Sequence, residues 1–321
     1  MKIENLYYER ENSIIDEKKW NKEKWRHENP MDYFKAVYLM QSMGKQVQEE
    51  MRQYTEHTIF EQIYKVTRMY IPDTLYKFYS LTDDEVLNKE KFVTLQKNQI
   101  YMSDIKDFND PFDGKAFYYN PEELLDIDRL SSKEGRLIDD FTKFYKSAAF
   151  TENDMNCLPM WAHYANNHEG FCVAYDMLDP ENCELSANTF PMQYTDKRLD
   201  ITSYMKKYAN MIANRIDKQI MEGSRSILLN DWSIVYIELW LSNIKHLTWQ
   251  YEKEFRCTMG AIVKGMPYTK AIPKAIYIGM KCKDENRKKL VKIGKQKAVP
   301  VYQMNFCEKA ENYNLESVLI N

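Results

Sequence analysis

The chain has 321 residues, of which 44% are hydrophobic and 14% aromatic, enough for a sizeable core and too many for wholesale disorder. Only 9 Gly and 10 Pro are present, which argues against a sandwich or barrel of many tight turns and for longer helices joined by fewer loops. A net charge of −3, with acids and bases well mixed, excludes the global basic field of a dedicated duplex-DNA binder.

The N-terminal stretch MKIENLYYERENSIIDEKKW lacks an apolar leader core, and no run reaches the roughly 18 apolar residues of a membrane span. Cys157, Cys172, Cys183, Cys257, Cys282 and Cys307 are widely spread without a C-x-x-C pair, as expected of reduced thiols. The chain is therefore expected to be soluble, unexported and cytoplasmic, with no membrane partner.

Residues 1–72 read as an N-terminal helical arm. Tyr33, Val37, Met40, Val47, Met51 and Tyr54 follow steps of four and three, the spacing of an amphipathic helix, and Asn29-Pro30 supplies a start signal. Such an arm would cover the main domain or mediate a homodimer. From Leu75 the texture changes, and residues 73–321 read as one α+β domain of small mixed or antiparallel sheets with surrounding helices. Strands are expected at 75–79, 100–103, 170–176, 251–258, 275–279 and 299–304. Helices are expected at 83–95 with Asp83 as cap, through 121–147, over most of 201–247, and at 284–296.

Three polar clusters stand out. In the first, Pro111 stiffens a turn in which the anchors Phe108 and Phe112 frame Asn109 and Asp110, with Asp113 just beyond. In the second, Trp161, Tyr164 and Ala165 share a helical face, His163 lies near its rim, and Gly170 suits the stop before the next strand. His163 and His168 are five apart rather than four, so no metal site is expected there. In the third, a strand would place Glu252, Glu254 and Arg256 on one face. Two carboxylates roughly 7 Å apart can divide two tasks, one steadying positive charge and the other orienting or deprotonating an acceptor, while Arg256 keeps Glu254 ionised or binds an anion.

With Leu75-Tyr76-Lys77, 109–113, 160–165 with Gly170, 249–256 and 276–279 in this order, the stretch from Leu75 to about Met304 resembles the bacterial family catalogued as domain of unknown function twenty-nine seventy-one. Members typically carry Lys-Tyr-Arg in the first strand, where this chain has Lys77-Phe78-Tyr79, so a contact made by that Arg would be altered. In strand order the chain is also similar to ADP-ribosyltransferase folds, which split NAD between two small sheets. That similarity implies NAD as substrate and Glu254 as catalytic acid with Glu252 as helper. It further implies Lys77 or Tyr79 as the first-strand residue, Ser103 as the second-strand residue, and Trp161 or Tyr164 stacked on nicotinamide. Asn109, Asp110, Asp113, His163 and Arg256 complete the candidate nucleotide contacts, and a protein or nucleic acid is the candidate acceptor. Two other functions are compatible with the residues. One is a nuclease whose Asp110, Asp113 and Glu252, with Lys115, hold Mg²⁺. The other is a ligand-sensing or interaction module of an anti-phage or stress system.

Overall fold

The structure is a computed structural model that describes residues 71–127, 145–224, 242–260, 267–309 and 311–320. The expected arm at 1–72 therefore falls outside the described residues except for Ile71 and Pro72, as do the helices expected within 128–144 and 225–241.

In chain order, the first strands are β1 (Thr74–Tyr79), β2 (Gln99–Tyr101), β3 (Ser103–Asp104), β4 (Phe117–Tyr118) and β5 (Tyr145–Thr151). They are followed by β6 (Phe171–Asp176), β7 (Thr189–Pro191), β8 (Gln193–Thr195), β9 (Leu199–Asp200) and β10 (Ile244–His246). The last are β11 (Glu254–Gly260), β12 (Tyr268–Lys270), β13 (Pro273–Ile278), β14 (Val301–Phe306) and β15 (Leu315–Leu319). The α-helices are α1 (Glu85–Gln96), α2 (Leu158–Tyr164), α3 (Cys183–Ala187), α4 (Thr202–Met221) and α5 (Asp284–Lys297). The α+β class expected from the sequence is the one observed. None of the described helices is long and apolar enough to cross a membrane.

A nine-stranded mixed sheet runs β15-β14-β13-β6-β1-β5-β11-β7, with β3 paired to β5, and three two-stranded ribbons flank it. At its centre β6, FCVAYD, is buried on both faces over five consecutive residues, which is why it reads as an uninterrupted apolar run. One face packs Leu75, Phe150, Phe171, Val173, Tyr175 and Phe255 under α1 and α5, through Phe92, Leu95, Leu290 and Ile293. The other packs Phe78, Cys172, Ala174 and Tyr277 under α2, through Met160, Trp161 and Ala165. Trp161 meets Phe78 edge-on at 5.1 Å, an aromatic pair worth ~0.5–1.5 kcal/mol beyond area burial.

One junction in the sheet is weak, and it positions the site. Strand β1 pairs with β6 along its full length, from Thr74↔Asp176 to Tyr79↔Phe171. It pairs with β5 only at Tyr76↔Thr151. Strand β5 in turn pairs with β11 from Glu254↔Thr151 to Gly260↔Tyr145. The sheet is thus two well-knit halves that part beyond one register pair.

Several expected elements are corrected. Helix α1 is capped by Asp84, whose side chain accepts from Val86 N and Leu87 N, rather than by Asp83. Residues 145–147, expected to end a helix, instead open β5, where pairing to β11 on one side and, at 146–147, to β3 on the other overrides local propensity. Residues 244–246 form β10, parallel to β8. Residues 251–252 close a 3₁₀ helix, Leu247–Glu252, so the late strand begins at Glu254. After α2 the left-handed backbone is supplied by Asn166, Asn167 and His168, all at positive φ. Gly170 has a different role, because a Cβ there would lie 2.0 Å from the carbonyl oxygen of Tyr79 on β1. Backbone cannot retreat from such a contact without moving two strands. Gly170→Ala is therefore expected to cost ~3 kcal/mol of unfolding free energy, read as a lowered denaturant midpoint; an unchanged midpoint would refute this reading of the close approach.

Candidate functional site

Where β1 and β5 part, the sheet opens into a cleft of about 230 Å³. Tyr76, Lys77 and Phe78 of β1 form one wall, β5 from Ser147 to Thr151 the floor, and Ser103, Phe108, Asn109, Met160 and Tyr164 the flanks. Lys245, Glu252 and Glu254 close the far side. All three clusters singled out in the sequence contribute to one wall or another.

The carboxylates converge for two distinct reasons. Glu254 and Arg256 stand two apart on β11, opposite Thr151 and Ala149, so the pleat sends both to the cleft face. Glu252 arrives by another route. Lys253 turns the chain through a left-handed conformation at φ 45°, while Thr151 Oγ1 and Asn153 Nδ2 hold the Glu252 carbonyl at 2.6 and 3.1 Å.

The resulting charges form a continuous buried chain. Arg256 is fully buried, donating from Nη2 to Asp113 Oδ1 at 2.6 Å, from Nε to Glu254 Oε1 at 2.6 Å, and from Nη1 to the Ser242 carbonyl at 3.1 Å. The Phe108 ring covers its guanidinium at 4.7 Å. Lys245 bridges the two glutamates, 2.7 Å from Glu252 Oε2 and 3.0 Å from Glu254 Oε2. Tyr164 donates its hydroxyl to Glu252 Oε1 and accepts from Asn109 Nδ2 at 3.1 Å. The Glu254 amide donates to Tyr194 Oη at 2.8 Å.

Three carboxylates facing two cations respond unequally. Burial would raise the Glu254 carboxyl, but Arg256 and Lys245 outweigh it and hold it below its ordinary value. Burial raises the Glu252 carboxyl against the pull of Lys245, with repulsion from Glu254 adding to the rise. Burial likewise raises Asp113 despite Arg256. Lys245 is penalised by burial yet lifted above its usual value by Glu254 and Glu252. Lys77 lies across the gap, and its Nζ donates to the Ala149 carbonyl at 3.1 Å, on the strand that β1 pairs at Tyr76↔Thr151 alone. Burial pulls its amine down to about 8, against the attraction of Glu254.

Of the residues singled out in the sequence, Lys77, Ser103, Asn109, Tyr164, Glu252 and Glu254 line the cleft. Arg256 and Asp113 lie behind it as the ion pair that fixes Glu254. Asp110 is buried, with Oδ1 accepting from Phe112 N at 2.9 Å and Oδ2 without a partner among the described residues. Three residues stand elsewhere. Tyr79 faces the opposite core, stacked on Phe171 at 4.7 Å with its hydroxyl 3.1 Å from that of Tyr175. Trp161 is fully buried, its Nε1 donating to the Met155 carbonyl at 2.8 Å, which leaves no ring face for nicotinamide. His163 is exposed, 6.3 Å from the Tyr251 ring and outside the cleft. Lys245 is the functional group that sequence reasoning missed, because its importance depends on β10 lying beside β8, which no local pattern announces.

Among the described residues no group of three His, Cys, Asp or Glu side chains is arranged to hold a metal ion. Of the Mg²⁺ set expected for a nuclease, Asp113 is paired to Arg256 and Glu252 to Lys245 and Tyr164, while Lys115 is exposed and Asp110 accepts from Phe112 N.

The same residues carry the family comparison. Residues 160–257 match the family described as protein of unknown function (DUF2971). The matched segment holds Tyr164, Lys245, Glu252, Glu254 and Arg256, while Lys77, Asn109 and the 276–279 strand lie outside it. No curated protein and no solved structure matches the chain.

Two outcomes follow from the charges. Arg256→Met strands Asp113 as an unpaired buried carboxylate and leaves Glu254 with Lys245 alone, at an expected cost of ~3–5 kcal/mol near neutral pH. Their folded pKa values then rise, so the loss should shrink as pH falls and they take up protons; urea unfolding at pH 7.5 and 5 checks this, and an equal loss at both would contradict it. Lys77 has the opposite sense. Its folded pKa of about 8 lies below the ordinary 10.5, so its burial penalty is complete below pH 8 and relieved by 10.5. The wild type should gain stability across that window relative to Lys77→Met, and parallel pH profiles would contradict this.

Proposed function

We propose that the cleft binds the nicotinamide–ribose half of NAD and that the protein transfers or hydrolyses ADP-ribose. The observation that carries this reading is the pair Glu252 and Glu254 on one wall, one carboxyl raised and the other held ionised, at the place where the sheet parts. The strand order adds support: Lys77 on β1, Ser103 on β3, and Glu254 at the head of β11, with Glu252 just before it, follow the order of ADP-ribosyltransferase folds.

In this reading the bond between nicotinamide nitrogen and ribose C1′ breaks, and nicotinamide leaves with the electron pair. Glu254, ionised by Arg256 and Lys245, stabilises the positive charge that develops on the ribose. Glu252, with its raised carboxyl, takes the proton of the attacking water or acceptor hydroxyl as the new C1′–O bond forms. Tyr164 and Lys245 orient Glu252, and Asn109 offers an amide to the nicotinamide carboxamide. The acceptor is water, a protein or a nucleic acid.

One observation favours a second reading, recognition of a nucleotide without chemistry. All four oxygens of Glu252 and Glu254 already have partners in Tyr164, Lys245 and Arg256. The two readings separate in one assay. Purified protein is incubated with NAD and released nicotinamide is measured by chromatography, alongside Glu252→Gln and Glu254→Gln. Turnover lowered ~10²–10³-fold in Glu254→Gln, with the fold intact by circular dichroism, is expected for stabilisation of developing charge. Absence of nicotinamide release with water, protein or nucleic acid supplied as acceptor, together with no NAD-dependent thermal shift, would sink both the transfer and the NAD-binding readings.

A further inference from the structure

At about 230 Å³ the cleft is smaller than the roughly 300–1,000 Å³ typical of sites that enclose a drug-sized ligand, so one half of a dinucleotide must lie outside it. Directly outside is a row of aromatic rings from two segments distant in sequence. His163 projects from α2, and Trp249 and Tyr251 from the 3₁₀ helix Leu247–Glu252. Tyr251 is 6.3 Å from His163 and 6.4 Å from Trp249, centroid to centroid. His163 and Tyr251 are exposed, the latter at 39%, and Trp249 is half-buried.

This row is fastened to the charged network rather than scattered on the surface. The Trp249 ring lies 4.7 Å from Lys245 Nζ, the ammonium that bridges Glu252 and Glu254. Tyr251 adjoins Glu252 in the chain, and its carbonyl accepts from Asn153 Nδ2 at 2.8 Å, beside the bond that fixes the Glu252 carbonyl. One side of the indole is thus occupied by a cation. Single exposed aromatics are ordinary on protein surfaces, but here three contiguous rings, tilted 51° and 34° between neighbours, bring their π-faces together beside a polar cleft. Flat heteroaromatic bases are the ligands that such faces hold, and they do so without a fixed hydrogen-bond code.

We infer that Trp249, Tyr251 and His163 form a stacking platform for the nucleobase of a nucleotide whose remaining half enters the cleft. The inference extends the NAD reading by placing adenine on the rings, yet its test does not depend on turnover. Adenosine monophosphate carries the base and one phosphate but no bond to be cleaved. Its affinity for the whole protein is measured by calorimetry, with saturation-transfer NMR reporting which ligand protons touch the protein. Adenine protons are expected to receive the strongest saturation, and Trp249→Ala and Tyr251→Ala are each expected to weaken binding about tenfold or more. Thermal melts of both variants establish that they fold, and Tyr251, being exposed, is the safer substitution. No binding to the wild type, or equal binding to wild type and folded variants, overturns the inference. Binding with the expected losses, in a protein that releases no nicotinamide from NAD, upholds the platform and refutes the transfer reaction.

Discussion

The Arg256–Glu254 ion pair is the constraint on which the rest of the site depends. A guanidinium with no solvent exposure is tolerable only if most of its donors are satisfied, and Glu254, Asp113 and the Ser242 carbonyl satisfy them from three separate segments. The pair therefore binds the turn after Phe112 to the late strand β11 and both to the start of β10. Lys245 then has a fixed carboxylate to approach, Glu252 has a fixed ammonium, and Tyr164 and Asn109 complete the line. Each member takes its geometry from the one before it. Buried polar chains of this kind stabilise less than an apolar core of equal volume, and their value lies in fixing one arrangement of charges.

The fold supplies the opening around that chain. In a sheet paired throughout, backbone bonds rather than a side chain would link β1 to β5 at this point. Because β1 and β5 meet at Tyr76↔Thr151 alone, the Lys77 amine reaches the bare Ala149 carbonyl and brings a cation of lowered pKa opposite the glutamates. The same parting makes a cleft of about 230 Å³, and the 3₁₀ helix beside it carries Trp249 and Tyr251.

Much of this was legible in the sequence wherever a local rule decides it. The period of two puts Glu254 and Arg256 on one face, the apolar run at 171–176 marks a strand buried on both sides, and the spacing of Trp161 and Ala165 marks the inward face of α2. The elements misread are those decided by distant partners. The first residues of β5, 145–147, read as the end of a helix until β11 pairs with them. Glu252 reaches the cleft through the left-handed Lys253 and not through a strand pleat. Lys77 and Tyr79 share a face of β1, yet only Lys77 lies at the gap while Tyr79 is sealed against Phe171. Lys245 carries no signature at all, since its role is created by where β10 runs.

The division of labour between the two glutamates can be measured without any ligand. NMR titration of side-chain carboxyl carbons, in protein labelled at Glu and assigned through Glu252→Gln and Glu254→Gln, reports each ionisation directly. Glu254 should remain ionised below the ordinary carboxylate range while Glu252 titrates above it. Two carboxyls titrating together at the ordinary value would show that the buried chain of charges does not exist in solution, and the proposed division of roles would fall.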